Sequence, residues 1–175
     1  MRPSSRQVVV DAALEIARRD GVAAVTFDAV SQEANLSRGG IIYHFPSKDE
    51  LLIAMVERIA EVWEEELLAA LDRPWFESTP VQRVKAYLQV AVGSTAQSDI
   101  AMMIDPAVPF DGEHPIQRVV RRWVPSAAEA TDSEAAFEYY LIRLAADGLW
   151  LHSALDIEPF DPDLQDRIVD RLCGN

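Results

Sequence analysis

Asn35-Leu36-Ser37-Arg38-Gly39-Gly40-Ile41-Ile42-Tyr43-His44-Phe45-Pro46-Ser47-Lys48-Asp49-Glu50-Leu51-Leu52 contains two helix starts in close succession. Ser37 can cap a short helix whose first residue is Arg38, and Pro46 forbids that helix from continuing through Phe45. Ser47 is then an N-cap in its own right. Glu50, three residues on, completes a capping box, with Pro46 and Leu51 placed as a hydrophobic staple. Two starts this close force a sharp bend. A short helix held proud of it, with Arg38, Tyr43, His44 and Lys48 around it, suits insertion into a DNA major groove. The alternative is an ordinary helical corner.

Composition narrows the field. The chain has 175 residues, 49% of them hydrophobic, enough to bury a core as one or two closely packed domains. No apolar run approaches the roughly 20 residues that span a bilayer, and Met1-Arg2-Pro3-Ser4-Ser5 lacks a signal-peptide apolar region. The expectation is a soluble cytoplasmic protein without a membrane partner. Cys173 is the single cysteine, and three scattered histidines give no metal-ligand spacing, so neither a metal nor another cofactor is expected.

The formal charge of −13 opposes nucleic-acid binding until its distribution is considered. Residues 1–48 carry six Lys/Arg against five Asp/Glu, which leaves ten basic against 24 acidic groups for residues 49–175. The acid is almost wholly downstream, so the two parts of the chain face different partners.

Helical spacing predominates. Ser4 and Gln7 form a capping box for a helix over about Ser5 to Asp20, with Val9, Ala13, Ile16 and Ala17 on one face and Gly21 as its stop. Thr26 caps a second helix through Ala34, whose Phe27, Ala29, Val30 and Ala34 can pack on the first. The Arg38 to His44 segment is the third. From Lys48 a long helix carries Leu51, Leu52, Met55, Ile59, Val62 and Trp63 on its apolar stripe to about Asp72. Thr79, Pro80 and Gln82 open another helix, ending near Gly93 to Ser98. A short helix at Asp99 to Ile104, a loop over Asp105 to Pro115 and a helix over Ile116 to Val124 follow. Thr131 with Glu134 makes a further capping box before a helix hydrophobic nearly all round, and Asp161 with Pro162 starts the last one. The fold class is all-α with about nine helices, residues 1–47 forming a three-helix domain and residues 48–175 a larger helical one.

The chain resembles the TetR family of transcriptional regulators. The likeness is strong from Arg6 to Leu52, through Gly21, Thr26-Phe27, Ala34, the run Ser37 to Phe45, and Lys48; beyond that it is one of architecture. Leu144-Ala145-Ala146-Asp147-Gly148-Leu149-Trp150 is similar to the dimerisation helix of a short, multidrug-responsive subset. The resemblance implies a homodimer with an N-terminal helix-turn-helix domain that binds double-stranded operator DNA. It also implies a C-terminal domain that takes a small-molecule effector.

Within the first domain, Arg38 can meet a guanine edge or a phosphate, or remain a solvated charge. Tyr43 and His44 match family positions that touch the sugar-phosphate backbone, although His44 also suits a helix-end hydrogen bond. Lys48 gains nothing from the macrodipole at a helix N-terminus, and a nearby phosphate would explain it. Thr26 and Ser37 cap helices whose free amides can approach phosphates. Gly39 and Gly40 each cost about 1 kcal/mol of helix propensity relative to Ala and offer close backbone approach in return. Ile42 stands where the family often has Tyr, which leaves thymine-methyl contact but removes a hydroxyl.

In the second domain Trp63, Tyr87, Met102, Met103, Phe110, Trp123, Tyr139 and Trp150, with Trp75 and Phe76, can line a pocket for an apolar or aromatic effector, or simply be core. A carboxylate beside them, Asp105, Glu138 or Asp147, would favour a hydrophobic cation. Leu141, Leu144, Ala145, Gly148, His152 and Leu155, with Leu164 and Ile168 of the last helix, are the expected dimer face. No nucleophile elbow, Walker loop, dinucleotide glycine pattern or metal-ligand cluster is present, and Ser153 beside His152 diverges by about 100 degrees on a helix, so an enzyme is not expected. The reading is a ligand-responsive repressor released from a palindromic operator. Two alternatives stay open: a dimeric DNA-binding module without a ligand, and an acidic helical interaction protein.

Overall fold

The computed structural model describes residues 4–93, 105–109, 112–155 and 161–174. Among these are eight α-helices and no strand: α1 (Ser5–Asp20), α2 (Phe27–Glu33), α3 (Arg38–His44), α4 (Lys48–Ala69), α5 (Pro80–Gly93), α6 (Pro115–Trp123), α7 (Glu134–Ala154) and α8 (Pro162–Cys173). The short helix expected at Asp99 to Ile104 lies outside the described residues. Contacts divide the chain into two compact units, Met1–Glu61 with Ser98–Ile116, and Val62–Gln97 with Gln117–Asn175.

In the first unit the caps govern the element boundaries. The Ser4 hydroxyl accepts from the Gln7 amide while the Gln7 side chain accepts from the Ser4 amide, and Gly21, at φ 85°, ends α1. Thr26 accepts from the Ala29 amide to start α2, and Ser37 accepts from the Gly40 amide to start α3. Between them Asn35 adopts φ 51°, a left-handed conformation that Asn tolerates better than most side chains. The Ser31 hydroxyl donates to the Leu36 carbonyl at 2.6 Å and fixes the turn. Val9, Ala13 and Ile16 of α1, Val30 of α2, Ile41 of α3 with Phe45 just past its end, and Leu51, Leu52, Met55 and Val56 of α4 form one buried core. Phe27, Ala29 and Ala34 pack partly buried against it.

Ser47 accepts from the Glu50 amide at 3.2 Å, and its hydroxyl donates to the Glu50 carboxylate at 3.1 Å. The helix begun there is shorter than expected. It ends at Ala69, not Asp72, and in the segment that leads to Pro74 the Arg73 guanidinium takes both Asp72 carboxylate oxygens at 2.9 and 3.1 Å. Val62, expected on the apolar stripe, is 36% exposed.

In the second unit Thr79 accepts from the Gln82 amide, and Gln82 accepts from the Thr79 amide, opening α5 with Pro80 first. Its buried face is Val84, Tyr87, Leu88 and Ala91. α6 begins one residue earlier than expected, with Pro115 at its first position. The predicted Thr131 capping box is not formed. Ser126 and Glu129 make that reciprocal pair instead, producing a single 3-10 turn over Glu129–Thr131, and the Thr131 hydroxyl donates to the Ala128 carbonyl. Ser133, extended at φ −165° and ψ 159°, accepts from the Ala136 amide and caps α7. Asp161 caps α8 by accepting from the Asp163 amide.

Candidate nucleic-acid interface and helical-unit cluster

α3 is anchored from below and open above. Ile41 and Phe45 are buried, whereas Ile42 is 41% and Tyr43 83% exposed, and Arg38 and Gly39 share that open surface. His44 is half-buried, its ring edge-on to Tyr43 at 5.2 Å. Thr26 and Ser37 are exposed with their hydroxyls turned to the cap amides. Lys48 is half-buried at the start of α4, followed by Asp49 and Glu50 in the first turn. A Cβ at Gly39 would meet nothing within 4 Å, so the protein itself leaves room for a side chain there; one at Gly40 would meet the Ser37 hydroxyl at 3.4 Å.

Arg38 is not a bare charge. Its Nη1 donates to Asp28 Oδ1 of α2 at 2.6 Å, with both side chains more than half exposed. Arg6 of α1 lies over the Phe45 ring at 4.9 Å. Sequence reasoning missed Asp28, although its position at the second residue of α2, ten residues before Arg38, was available as a signal.

The second unit brings three of the expected ligand residues together. The buried Tyr87 hydroxyl donates to Asp147 Oδ1 at 2.5 Å, and Trp63 packs edge-on against the Tyr87 ring at 5.5 Å. Burial, then the adjacent Asp147 charge, pushes the phenol well above its ordinary pKa, so it stays protonated and donates. Arg143, one turn before Asp147 on α7, approaches Asp147 Oδ2 with Nε at 3.6 Å, and its Nη1 donates to the Pro125 carbonyl at 2.7 Å. Asp147 nevertheless keeps 42% of its side-chain surface exposed.

The other candidates are arranged differently. Trp123 is buried, and its indole N–H donates to Glu64 at 3.3 Å, the same carboxylate oxygen that accepts from Arg122 at 2.7 Å. Trp75 stands between the guanidinium groups of Arg83 and Arg122, at 5.2 and 4.6 Å, and Phe76 is 78% exposed. Tyr139 and Trp150 are half-buried on α7 and, among the described residues, make no hydrogen bond or ring contact with the Asp147 cluster. Asp105 accepts from the Ala107 amide in a turn, and Glu138 is exposed. Met102, Met103 and Phe110 lie outside the described residues.

α7 also carries an uncovered apolar seam. Phe137, Leu141, Leu144, Leu151 and Leu155 are 41 to 56% exposed, at spacings of four, three, seven and four residues, and Gly148 occupies the place inside the interval of seven. This is a heptad alternation. Leu164 of α8 is 47% exposed, while Ala145, His152 and Ile168 are half-buried. Phe137 and Leu151 were missing from the expected dimer face, although the heptad spacing includes both.

Among the described residues no helix is long and apolar enough to cross a membrane, and no group of three or more His, Cys, Asp or Glu could hold a metal ion. Residues 9–55 match the model for bacterial regulatory proteins of the tetR family, and residues 81–174 match the tetracyclin repressor-like C-terminal domain. The HTH-type transcriptional regulator BetI of Paraburkholderia phytofirmans is 27% identical over 175 residues, covering 92% of this chain and 87% of that protein. The HTH-type transcriptional regulator RutR of Escherichia coli K12 is 25% identical over 87 residues, covering 50% of this chain and 39% of that one. The multidrug binding protein EbrR complexed with malachite green shares the fold at a TM-score of 0.62 and 20% identity, covering 97% of this chain and 98% of that one. A transcriptional regulator from Rhodococcus sp. Rha1 does so at 0.66 and 17%, covering 98% and 95%.

Proposed function

Because the chain belongs to the TetR family of bacterial regulatory proteins, it is a DNA-binding transcriptional regulator, and we propose that it is a cytoplasmic homodimeric repressor released from a palindromic operator by a small aromatic cation. The observation that carries the DNA reading is α3, held by buried Ile41 and Phe45 with its opposite face open. Residues 1–47 are the DNA-binding domain and residues 48–175 the effector and dimerisation domain. Arg38 reads a base; Tyr43, His44, Lys48, Thr26 and Ser37 contact the backbone; Gly39 and Gly40 let it approach; Ile42 touches a thymine methyl.

Two copies joined along the α7 seam, with Leu164 and Ile168 of α8 beside it, form the proposed homodimer, whose two α3 helices read the two half-sites of the palindrome. The exposed Leu141, Leu144 and Leu155 support this reading, since a row of large apolar side chains on one helix favours burial against a partner. Trp63, Tyr87 and Asp147 are the proposed effector contacts, with Trp123, Tyr139 and Trp150 in the same unit. A half-exposed carboxylate beside aromatic rings suits a flat cation, and EbrR is a relative in fold that binds malachite green. α4 carries both Lys48 and Trp63, so a tilt set by the effector is transmitted along one helix. Relieving repression about a hundredfold requires the effector to distinguish the two dimer states by about 2.7 kcal/mol. A second reading has one observation in its favour: Tyr87 and Arg143 already meet Asp147, as they would in a domain that only dimerises.

Selection of bound duplexes from a pool with a randomised core of about two helical turns tests the operator reading. The wild-type protein should enrich a palindrome, and a pool returned unenriched would sink the operator. Arg38→Ala should weaken binding to the selected duplex by about 1–3 kcal/mol with dimer mass and helicity intact. Unchanged affinity would remove Arg38 from base reading.

A further inference from the structure

We propose that Asp28 is a specificity-determining residue of the DNA interface, holding Arg38 so that it meets a guanine edge in preference to a phosphate. The inference rests on the proposed base-reading role of Arg38. Arg38 is the first residue of α3 and Asp28 the second of α2, so the α2–α3 bend itself brings the carboxylate to the guanidinium. The contact is a 2.6 Å hydrogen bond from Nη1 to Oδ1. It leaves the Nε–Nη2 edge of the guanidinium, two parallel donors in a fixed plane, as the fork that matches guanine O6 and N7.

The side chains are 58% and 69% exposed, and an ion pair so open to water contributes little to stability. Its consequence for DNA is larger. An arginine alone on an exposed helix pairs with any phosphate, which is affinity without sequence information. With the Asp28 carboxylate beside it, a phosphate that approaches Nη1 must displace that carboxylate or sit next to a like charge. A guanine edge carries no net charge and meets no such penalty. Specificity then arises from a repulsive element directed at the wrong contact as well as from the attractive one. The same pairing limits the rotamers of a long side chain before DNA arrives, so less ordering remains to be done on binding.

The neighbouring charges leave Asp28 as the acid facing Arg38. Glu33 of α2 is taken by Arg19 at 3.1 Å, and Asp49 and Glu50 belong to the first turn of α4, with Glu50 bonded to Ser47. Asn at position 28 keeps the shape of Asp and removes its charge, and Glu keeps the charge at greater reach.

The test measures binding of the full chain to two duplexes, the palindrome selected by the wild-type protein and a mixed-sequence duplex of equal length, for wild type, Asp28→Asn, Asp28→Glu and Arg38→Ala. Asp28→Asn should bind the mixed duplex more tightly, and its ratio of selected to mixed affinity should fall about tenfold. A repeated selection with this variant should show a weaker guanine preference at the base that Arg38→Ala also relaxes, and Asp28→Glu should recover part of the ratio. An Asp28→Asn ratio equal to wild type, while Arg38→Ala lowers it, overturns the role of Asp28 alone and leaves it a helix-end charge. An Arg38→Ala ratio equal to wild type overturns the base-reading role on which the inference rests.

Discussion

The polar contacts that shape the α2–α3 corner join residues three to ten positions apart, whereas those that tie the second unit together reach across 18 to 73 positions. The corner is therefore built by local rules, each cap choosing its own amide and each turn its own φ. The second unit is built by meetings between distant helices: Tyr87 with Asp147, Arg122 with Glu64, and the Gln165 side-chain Nε2, which donates to the Val92 carbonyl at 2.7 Å. Local construction suits a surface that must present a fixed shape to DNA. Long-range construction suits a unit whose helices a small molecule can shift, because each such contact links two elements that otherwise move separately. The two regions also leave different things uncovered, a polar and cationic face on α3 and a row of leucines on α7.

The largest expected effect breaks that contrast at α7. A Cβ at Gly148 meets nothing within 4 Å in the single chain, so Gly148→Leu fits the isolated subunit and raises helix propensity by nearly 1 kcal/mol. In a dimer packed along the seam the added side chain enters a close helix approach, where overpacking costs about 1–3 kcal/mol at each copy. Analytical ultracentrifugation should show a folded monomer, and operator affinity should fall by about a hundredfold or more as the second half-site contact is lost. A dimer that persists at low concentration would move the interface off this face.

The same contrast explains which parts of the molecule were legible in the sequence. α1 and α3 have their expected boundaries and α2 its expected start, because Ser4, Thr26 and Ser37 each accept from the amide three residues on. Between Ser126 and Ser133 several hydroxyls compete. Thr131 with Glu134 has the right spacing, yet Ser126 with Glu129 forms first along the chain, traps Thr131 in a helical turn and passes the cap to Ser133. The Ser126–Glu129 spacing is itself a capping-box pattern, but spacing alone does not say which of the two boxes forms. The candidate DNA face needed only helix faces, whereas the ion pair to Asp28 needed the angle of the bend. In the second unit the aromatic residues were visible but not their destinations. Trp123 belongs to the core and to Glu64, Trp75 to two arginines, and, among the described residues, Tyr87 meets Asp147 with Trp63 packed on its ring.

A smaller effect sharpens the contrast inside the second unit. Asp147→Asn keeps an acceptor for the Tyr87 hydroxyl and removes the charge. If this cluster receives a flat cation, ethidium should bind the wild-type dimer saturably and the variant about tenfold more weakly. That is far below the ~4 kcal/mol of a bare charge pair at 4 Å in an effective dielectric of ~20, because Arg143 already offsets part of the Asp147 charge and water reaches the rest. A fluorescence titration separates the outcomes. Equal affinity in both proteins would place the cation elsewhere, and no saturable binding of ethidium or malachite green to wild type would favour the domain that only dimerises.

The smallest effect tests whether α3 is shaped by the fold or for a partner. Gly39 sits on the exposed face of a seven-residue helix, with a helical backbone that any residue can adopt and no atom within 4 Å of where a Cβ would stand. Nothing in the folded chain asks for glycine there. Gly39→Ala should therefore stabilise the protein by up to about 1 kcal/mol, read as a rise in thermal midpoint of a few degrees. Against DNA the sign reverses, because the added methyl stands between the backbone of α3 and whatever approaches it, and a selected duplex should bind several-fold more weakly. Opposite signs from one methyl group would separate a surface adapted to a partner from one adapted to folding. A variant more stable and equally tight would mean that the backbone at Gly39 never closes on DNA, leaving the approach to Gly40, where the Ser37 cap is already 3.4 Å from the position a Cβ would take.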